Sequence, residues 1–220
     1  VNLEEYDERK DDELFIPDLI RMLDNVLEYF IANAPQELHR AVYSAKQERS
    51  LGLGAMGFHA HLQRHSIPFE SAIAKAKNRI MFRGIKEKAY AATKLLAEER
   101  GECPDAVGYG IRNSHLLAIA PNASSSIICG NTSPSIEPYR ANAFVQKTKT
   151  GSSLLKNEYL EHCLDDLGMN TEEIWQDIII HDGSVQHLDF LDRDTKDIFK
   201  TGVELDQKWL IEFAADRQEY

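Results

Sequence analysis

The sequence predicts a mixed α/β chain, predominantly helical, whose few short strands are too sparse to close a sheet on their own. Three observations carry this expectation. Apolar residues recur at helical spacing from Phe15 to Ile31. The stretch from Ser71 to Arg100 is rich in Ala, Lys, Glu and Leu, with no Pro and one Gly, the composition of a long helix. Few segments read as strands, chiefly one beginning at Leu116 and one around Ala143 to Lys147.

The elements follow in order. Phe15, Leu19, Met22, Leu23, Val26, Leu27, Phe30 and Ile31 line the buried face of the first helix. Pro17 falls near its start, where a missing N–H costs little, and the helix ends near Asn33 to Pro35. Leu38 to Ala45 is ambiguous. In the long helix Ile73, Ala76, Ile80, Met81, Ile85, Ala89, Ala92 and Leu95 mark one stripe, and Gly101 is its stop. Residues 102–114 read as loop. The strand at Leu116 is short and buried, halts at Pro121 and opens into the polar loop Asn122, Ala123, Ser124, Ser125 and Ser126. Pro134 and Pro138 punctuate irregular chain before the strand at Ala143. Helices are expected from Asn157 to Leu167, from a Thr171 cap through Trp175 to about Ile179, and from Asp194 to Thr201. A last one follows an Asp206 cap and carries Trp209, Leu210, Phe213 and Ala214, and HDGS at 181–184 is a turn.

Composition narrows the functional classes. The 220 residues are 43% hydrophobic, enough for a real core. Lys plus Arg number 25 against 36 Asp plus Glu, a net charge of -11, which repels polyanions and argues against general nucleic-acid binding. Cys103, Cys129 and Cys163 form no CxxC pair, so neither a disulfide framework nor a thiolate metal site is expected, and a reducing, cytoplasmic setting fits. Cys129, inside SIICG, reads as a small buried residue. No apolar run approaches a membrane span. The acidic start without an initiator methionine points to a processed, trimmed or fragmentary chain.

Gly52, Gly54 and Gly57 have GxGxxG spacing, yet no clear strand precedes them and no suitably placed acid follows. Close backbone packing is the better account. His59, His61 and His65 suggest metal ligands, but i,i+2 positions face different sides of a helix and no partner carboxylate or HExxH pattern follows. They read as ordinary polar or half-buried histidines, and no metal site is expected.

The serine loop carries the most chemistry. Backbone N–H groups and hydroxyls converging at Ser124, Ser125 and Ser126 can hold a phosphate, with small Ala123 permitting close approach and Pro121 fixing the strand end. A plain serine-rich turn has the same composition. Nothing supports a serine nucleophile, because no GxSxG elbow occurs. Glu137, between Ile136 and Pro138, is a carboxylate in a stiff turn, placed to touch a ligand or to accept a loop N–H.

At these residues a family resemblance emerges. RNSHLLAIAPNASSSIICGNTSPSIEP, Arg112 to Pro138, resembles the substrate-phosphate loop and adjoining segment of the large catalytic subunit of class I ribonucleoside-diphosphate reductase. RSLGLGAMGFHAHL at 49–62 resembles that family's glycine-containing helix start, and residues 181–220 resemble its later barrel region, in collinear order. The resemblance implies that residues 1–220 are a partial domain of a ten-stranded α/β barrel with many surrounding helices, in an enzyme that makes deoxyribonucleotides for DNA replication by thiyl-radical chemistry. It implies diphosphate binding through Pro121, Asn122, Ala123, Ser124 and Ser125, with Ser126 and Glu137 as supporting candidates. Ala123 stands where some members carry a carboxylate, so only backbone contact is implied there.

No NxCxE pattern occurs, and none of the three cysteines matches a catalytic one. The resemblance therefore implies no catalytic residue in this stretch, with the catalytic cysteines and allosteric nucleotide sites upstream and the radical-relay tyrosines and thiol tail downstream. Its implied partners are the remaining large-subunit segments or chains, a small subunit holding the metal-radical cofactor, the ribonucleoside diphosphate, and a thioredoxin- or glutaredoxin-type reductant. No cofactor, nucleic acid or membrane is implied for this piece, which alone would be inactive and would expose strand edges and apolar faces. The alternatives are a noncatalytic barrel-derived scaffold or interaction module and, third, an independent phosphate-binding enzyme.

Overall fold

Three extended segments lie side by side, all parallel, in the computed structural model, which describes residues 1–149 and 151–220. The first pairs with the second at Asn2 and Met56, and the second with the third at Leu53 and Leu117. Backbone bonds run from Met56 N to Val1 O (2.9 Å), Leu3 N to Met56 O (2.8 Å), Leu53 N to Leu116 O (2.8 Å) and Ala118 N to Leu53 O (3.2 Å). Parallel neighbours need long crossovers, usually helical, and both crossovers here are. The first holds α1 (Tyr6–Arg9), α2 (Phe15–Asn33) and α3 (His39–Glu48), and the second α4 (Phe58–Arg64) and α5 (Ala72–Arg100).

The strand expected at Leu116 is reduced to this single bridge. It is not buried: Leu116 and Leu117 are half-buried and Ala118, Ile119 and Ala120 exposed, because a neighbour is present on one side only. Among the described residues the one regular sheet is an antiparallel hairpin, β1 (Ala143–Thr148) with β2 (Gly151–Lys156), and no ten-stranded barrel is closed. Only β1 was legible in the sequence, since GSSLLK lacks strand alternation.

The first core forms between α2, α4, α5 and α10 (Gln207–Arg217). Phe58, Phe69 and Phe213 meet there with centroids 5.1–6.0 Å apart. Full burial of such side chains contributes about 1.5–3 kcal/mol each. The buried rows are narrower than the sequence stripes. On α2 they are Ile16, Ile20 and Asp24, while Met22 and Val26 are exposed. On α5, Met81, Ile85, Ala89 and Ala92 are buried as expected, but Ile73, Ile80 and Leu95 face outward. The ambiguous Leu38 region resolves into a 3-10 turn, Gln36–Leu38, running into α3.

Asp24 is fully buried and gathers charge. Its oxygens accept from Arg49, Arg100, Arg112 and Asn113 at 2.8–3.3 Å. Burial acts to raise the Asp24 carboxyl, but bonds from Arg112 and Asn113 and the Arg49 and Arg112 charges hold it below its ordinary value. This hub ties α2 to the ends of α3 and α5.

A second core is built wholly from residues 143–199, with Leu160, Leu164, Trp175, Ile178 and Val185 at its centre. Its helices are α7 (Glu158–Asp166), α8 (Glu172–Ile180) and α9 (Arg193–Ile198). The caps follow the sequence: Asn157 accepts from Tyr159 N, Thr171 from Ile174 N and Asp206 from Lys208 N. The turn at 181–184 is present, with Asp182 and Gly183 at positive φ.

Candidate functional site

The segment after Pro121 is not an open loop. Asn122 adopts the left-handed conformation (φ 51°, ψ 22°), and a six-residue helix, α6 (Ala123–Ile128), begins immediately after it. Asn tolerates that conformation better than most residues. Ser126 N donates to Asn122 O at 2.9 Å, closing the first turn. The N–H groups of Ala123, Ser124 and Ser125 precede the first intrahelical bonds and have no acceptor among the described residues. These residues are exposed, and the Ser124 and Ser125 hydroxyls carry no hydrogen bond among the described residues. One short surface thus presents three N–H donors and two hydroxyls.

Ser126 departs from this set. It is buried, and its hydroxyl donates back to Ala123 O at 3.2 Å, so it is committed to the helix. Glu137 is exposed in a turn whose N–H donates to Pro134 O, and no hydrogen bond joins its carboxylate to α6. Of the two roles considered for Glu137, acceptance of a loop N–H is not made among the described residues.

The parallel segments position α6. Asn122 Nδ2 reaches Ala55 O at 3.4 Å. A Cβ on Gly52 would stand 3.1 Å from Ala118 Cβ, and one on Gly54 3.2 Å from Ala118 O. These glycines therefore serve close approach of the chain, the account preferred above to a dinucleotide fingerprint. Gly54, Ala55, Leu117, Ala118 and Ile119 also line a cavity of about 380 Å³ that reaches Arg217. Arg217 is 5% exposed, lies over the rings of Phe58 and Phe82 at 4.8 and 4.6 Å, and has no hydrogen-bond partner among the described residues for its three guanidinium nitrogens. Burial pushes it down to about 9. Sequence reasoning passed over Arg217, because nothing local marks a lone arginine in ADRQEY as buried.

The cysteines offer no activated thiol. Cys103 is buried, and burial pushes the half-buried Cys163 thiol up. Cys129 is exposed rather than buried, since Ile128 and Cys129 lie on the open side of α6.

The histidines also differ from expectation. His59 and His61 are fully buried. His59 accepts from Tyr139 N at 3.0 Å, and burial lowers it to about 3. His61 and His65, one turn apart, share a carboxylate after all: Asp7, distant in sequence, stands 3.9 and 2.9 Å from them. The i,i+4 relation was readable in the sequence, but the Asp7 contact was not, being long-range.

The family model for the ribonucleotide reductase barrel domain matches residues 1–107 and 104–220. The chain belongs to this family. Among reductase relatives, the large subunit of ribonucleoside-diphosphate reductase from Invertebrate iridescent virus 6 is 48% identical over 225 residues, covering 100% of this chain and 23% of that protein. The corresponding subunit of Invertebrate iridescent virus 3 is 46% identical over 223 residues, covering 100% and 35%. The class Id ribonucleotide reductase alpha subunit of Actinobacillus ureae matches with a TM-score of 0.91 at 42% identity, over 100% of this chain and 40% of that one. The chain thus spans about a quarter to two fifths of these relatives' length. It is part of the barrel domain of a reductase large, catalytic subunit, and its three parallel segments with helical crossovers belong to that α/β architecture. Among the described residues no helix is long and apolar enough to cross a membrane.

Proposed function

We propose that this chain holds the substrate diphosphate of a ribonucleoside-diphosphate reductase on the N-terminal face of α6, within a ten-stranded barrel completed by the rest of the large subunit. The supporting observation is the exposed cluster of free donors: N–H groups of Ala123, Ser124 and Ser125 with the hydroxyls of Ser124 and Ser125. A diphosphate is acceptor-rich and multiply charged, so donors fixed in advance meet it without reorganising. Hydrogen bonds to a charged group contribute about 1.5–3 kcal/mol each. Left-handed Asn122 starts α6 directly after Pro121, so these N–H groups share one first helical turn, and Pro121 limits how the preceding residue can bend.

The division of labour follows from the chemistry. This chain binds and orients, while ribose reduction needs a thiyl radical and a redox cysteine pair, for which Cys103, Cys129 and Cys163 are unsuited in setting. Those thiols, the allosteric nucleotide sites, the small subunit's metal-radical cofactor and the thioredoxin- or glutaredoxin-type reductant belong to the rest of the assembly, which works in the cytoplasm.

In the complete reductase, the double variant Ser124→Ala, Ser125→Ala is expected to raise the KM for ribonucleoside diphosphates by about 10–100-fold, the loss of one charge-assisted bond. Assembly, checked by size-exclusion chromatography, should be unaffected because both side chains are exposed. An assembled variant with unchanged substrate affinity would remove α6 from the phosphate site.

A further inference from the structure

Asp7, His61 and His65 converge where α1 meets α4, and three of their ligand-type atoms lie within 4.8 Å of one another. His65 Nε2 is 2.9 Å and His61 Nε2 3.9 Å from the same carboxylate oxygen, Asp7 Oδ2. Neighbouring ligand atoms of a tetrahedral site with bonds of about 2.0–2.1 Å stand ~3.3 Å apart, so the two separations bracket what a bound ion requires. The two imidazoles are neighbours, tilted by 55° with centroids 4.5 Å apart.

A second observation points to a ligand. His61 is fully buried, and among the described residues neither ring nitrogen has a hydrogen-bond partner of good geometry, the Leu3 carbonyl standing beside the ring. A buried imidazole without partners is costly, and its Nε2 is directed at Asp7. Metal-bound histidines commonly hand their second ring N–H to a nearby carbonyl, a role open to Leu3.

We infer that Asp7, His61 and His65 form a site for a divalent transition ion of the Zn²⁺ class, fastening α1 to α4. Three protein ligands leave one tetrahedral position for water. Lys10 lies 3.5 Å from the other carboxylate oxygen, Oδ1, leaving Oδ2 to the histidines. Lys77 also faces Asp7 and His61. With that positive charge nearby, ions held by oxygen ligands and charge, such as Mg²⁺ or Ca²⁺, gain little, whereas two imidazoles favour Zn²⁺. A second grouping, Asp177, His181 and His187, is more exposed, and His181 Nδ1 is already engaged by the Asp177 backbone carbonyl at 2.9 Å. It serves as the internal control.

The test titrates Zn²⁺ alone into metal-stripped protein by calorimetry, with bound metal counted by mass spectrometry and thermal unfolding followed in parallel. Three proteins are compared with the parent: Asp7→Asn, His65→Ala, and the control His181→Ala, His187→Ala. His65 is partly exposed, so its replacement leaves the fold in place. The expected result is one Zn²⁺ equivalent whose affinity falls in Asp7→Asn and His65→Ala by more than the ~10–100-fold that losing a supporting hydrogen bond costs a metal site. The Zn²⁺-dependent rise in Tm should vanish with it, and the control should keep both. Absence of saturable binding, full affinity in either single variant, or loss confined to the control would each overturn the site.

Discussion

Asp24→Ala is expected to lower the unfolding free energy by about 3–5 kcal/mol, the range for removing one partner of a buried ionic network. The cost comes less from the lost bonds than from what is left behind. Arg49 and Arg112 are nearly buried, at 9% and 8% side-chain exposure, and Asp24 is the fully buried carboxylate paired with both, Glu28 standing 3.6 Å from Arg112 as well. Glu28 also reaches Arg49 at 2.8 Å, but its side chain is half exposed and water screens it. Urea unfolding of parent and variant at neutral pH measures the difference, and a change under ~0.5 kcal/mol, the scale of an ordinary surface substitution, would show the hub to be idle. The same carboxyl predicts an acid limb. Its folded-state value lies below the ordinary one, so its stabilisation is fully present above about 3.9 and is lost as pH falls through the lower folded-state value. Asp24→Asn should flatten that limb while leaving the rest of the pH profile unchanged.

Gly57→Val should cost about 2–5 kcal/mol through two separate causes. Gly57 sits at φ 83°, where an L residue loses about 1–2 kcal/mol and a β-branched one has no comfortable rotamer. A Cβ there would also stand 2.6 Å from Asn2 Oδ1 and 2.7 Å from Thr132 Oγ1, overpacking of a kind that costs about 1–3 kcal/mol. The position joins the second parallel segment to α4, and its N–H donates to Ser133 O at 2.7 Å. Displacing Thr132 and Ser133 pulls on the chain that leaves α6. On the proposed function, diphosphate affinity of the assembled reductase should therefore fall along with Tm. Unchanged Tm would mean that the backbone relaxes around the new side chain.

Much of this architecture was legible because it is local. α2, α5, α7, α8 and α10 follow apolar periodicity and capping chemistry, and both act within a few residues. What escaped the sequence depends on distant chain. Asp24 occupies a buried row with Ile16 and Ile20, and only Arg49, Arg100 and Arg112, supplied from elsewhere, make a carboxylate tolerable there. The strand at Leu116 is exposed on one side because burial of a strand is decided by its neighbours, and a single one is present. At the candidate phosphate site the residue types were readable, but the inward turn of Ser126 was not. The helix that α6 begins at Ala123 commits that hydroxyl, and six residues are too few to show a period.

The two cores imply an order of assembly during synthesis. The second draws every member from one continuous stretch, 143–199, whereas the first joins Leu3 and Phe58 to Leu205 and Phe213. A ribosome adding ~5–20 residues per second releases the whole of the later core before the helix that seals the earlier one. The helices before residue 100 supply most of the earlier core, but Phe58 and Phe69 lack their Phe213 contact while a unit encoded after them is already complete. A nascent chain halted between the two events would expose the aromatic surface that α10 later covers, a window in which chaperone capture and aggregation compete.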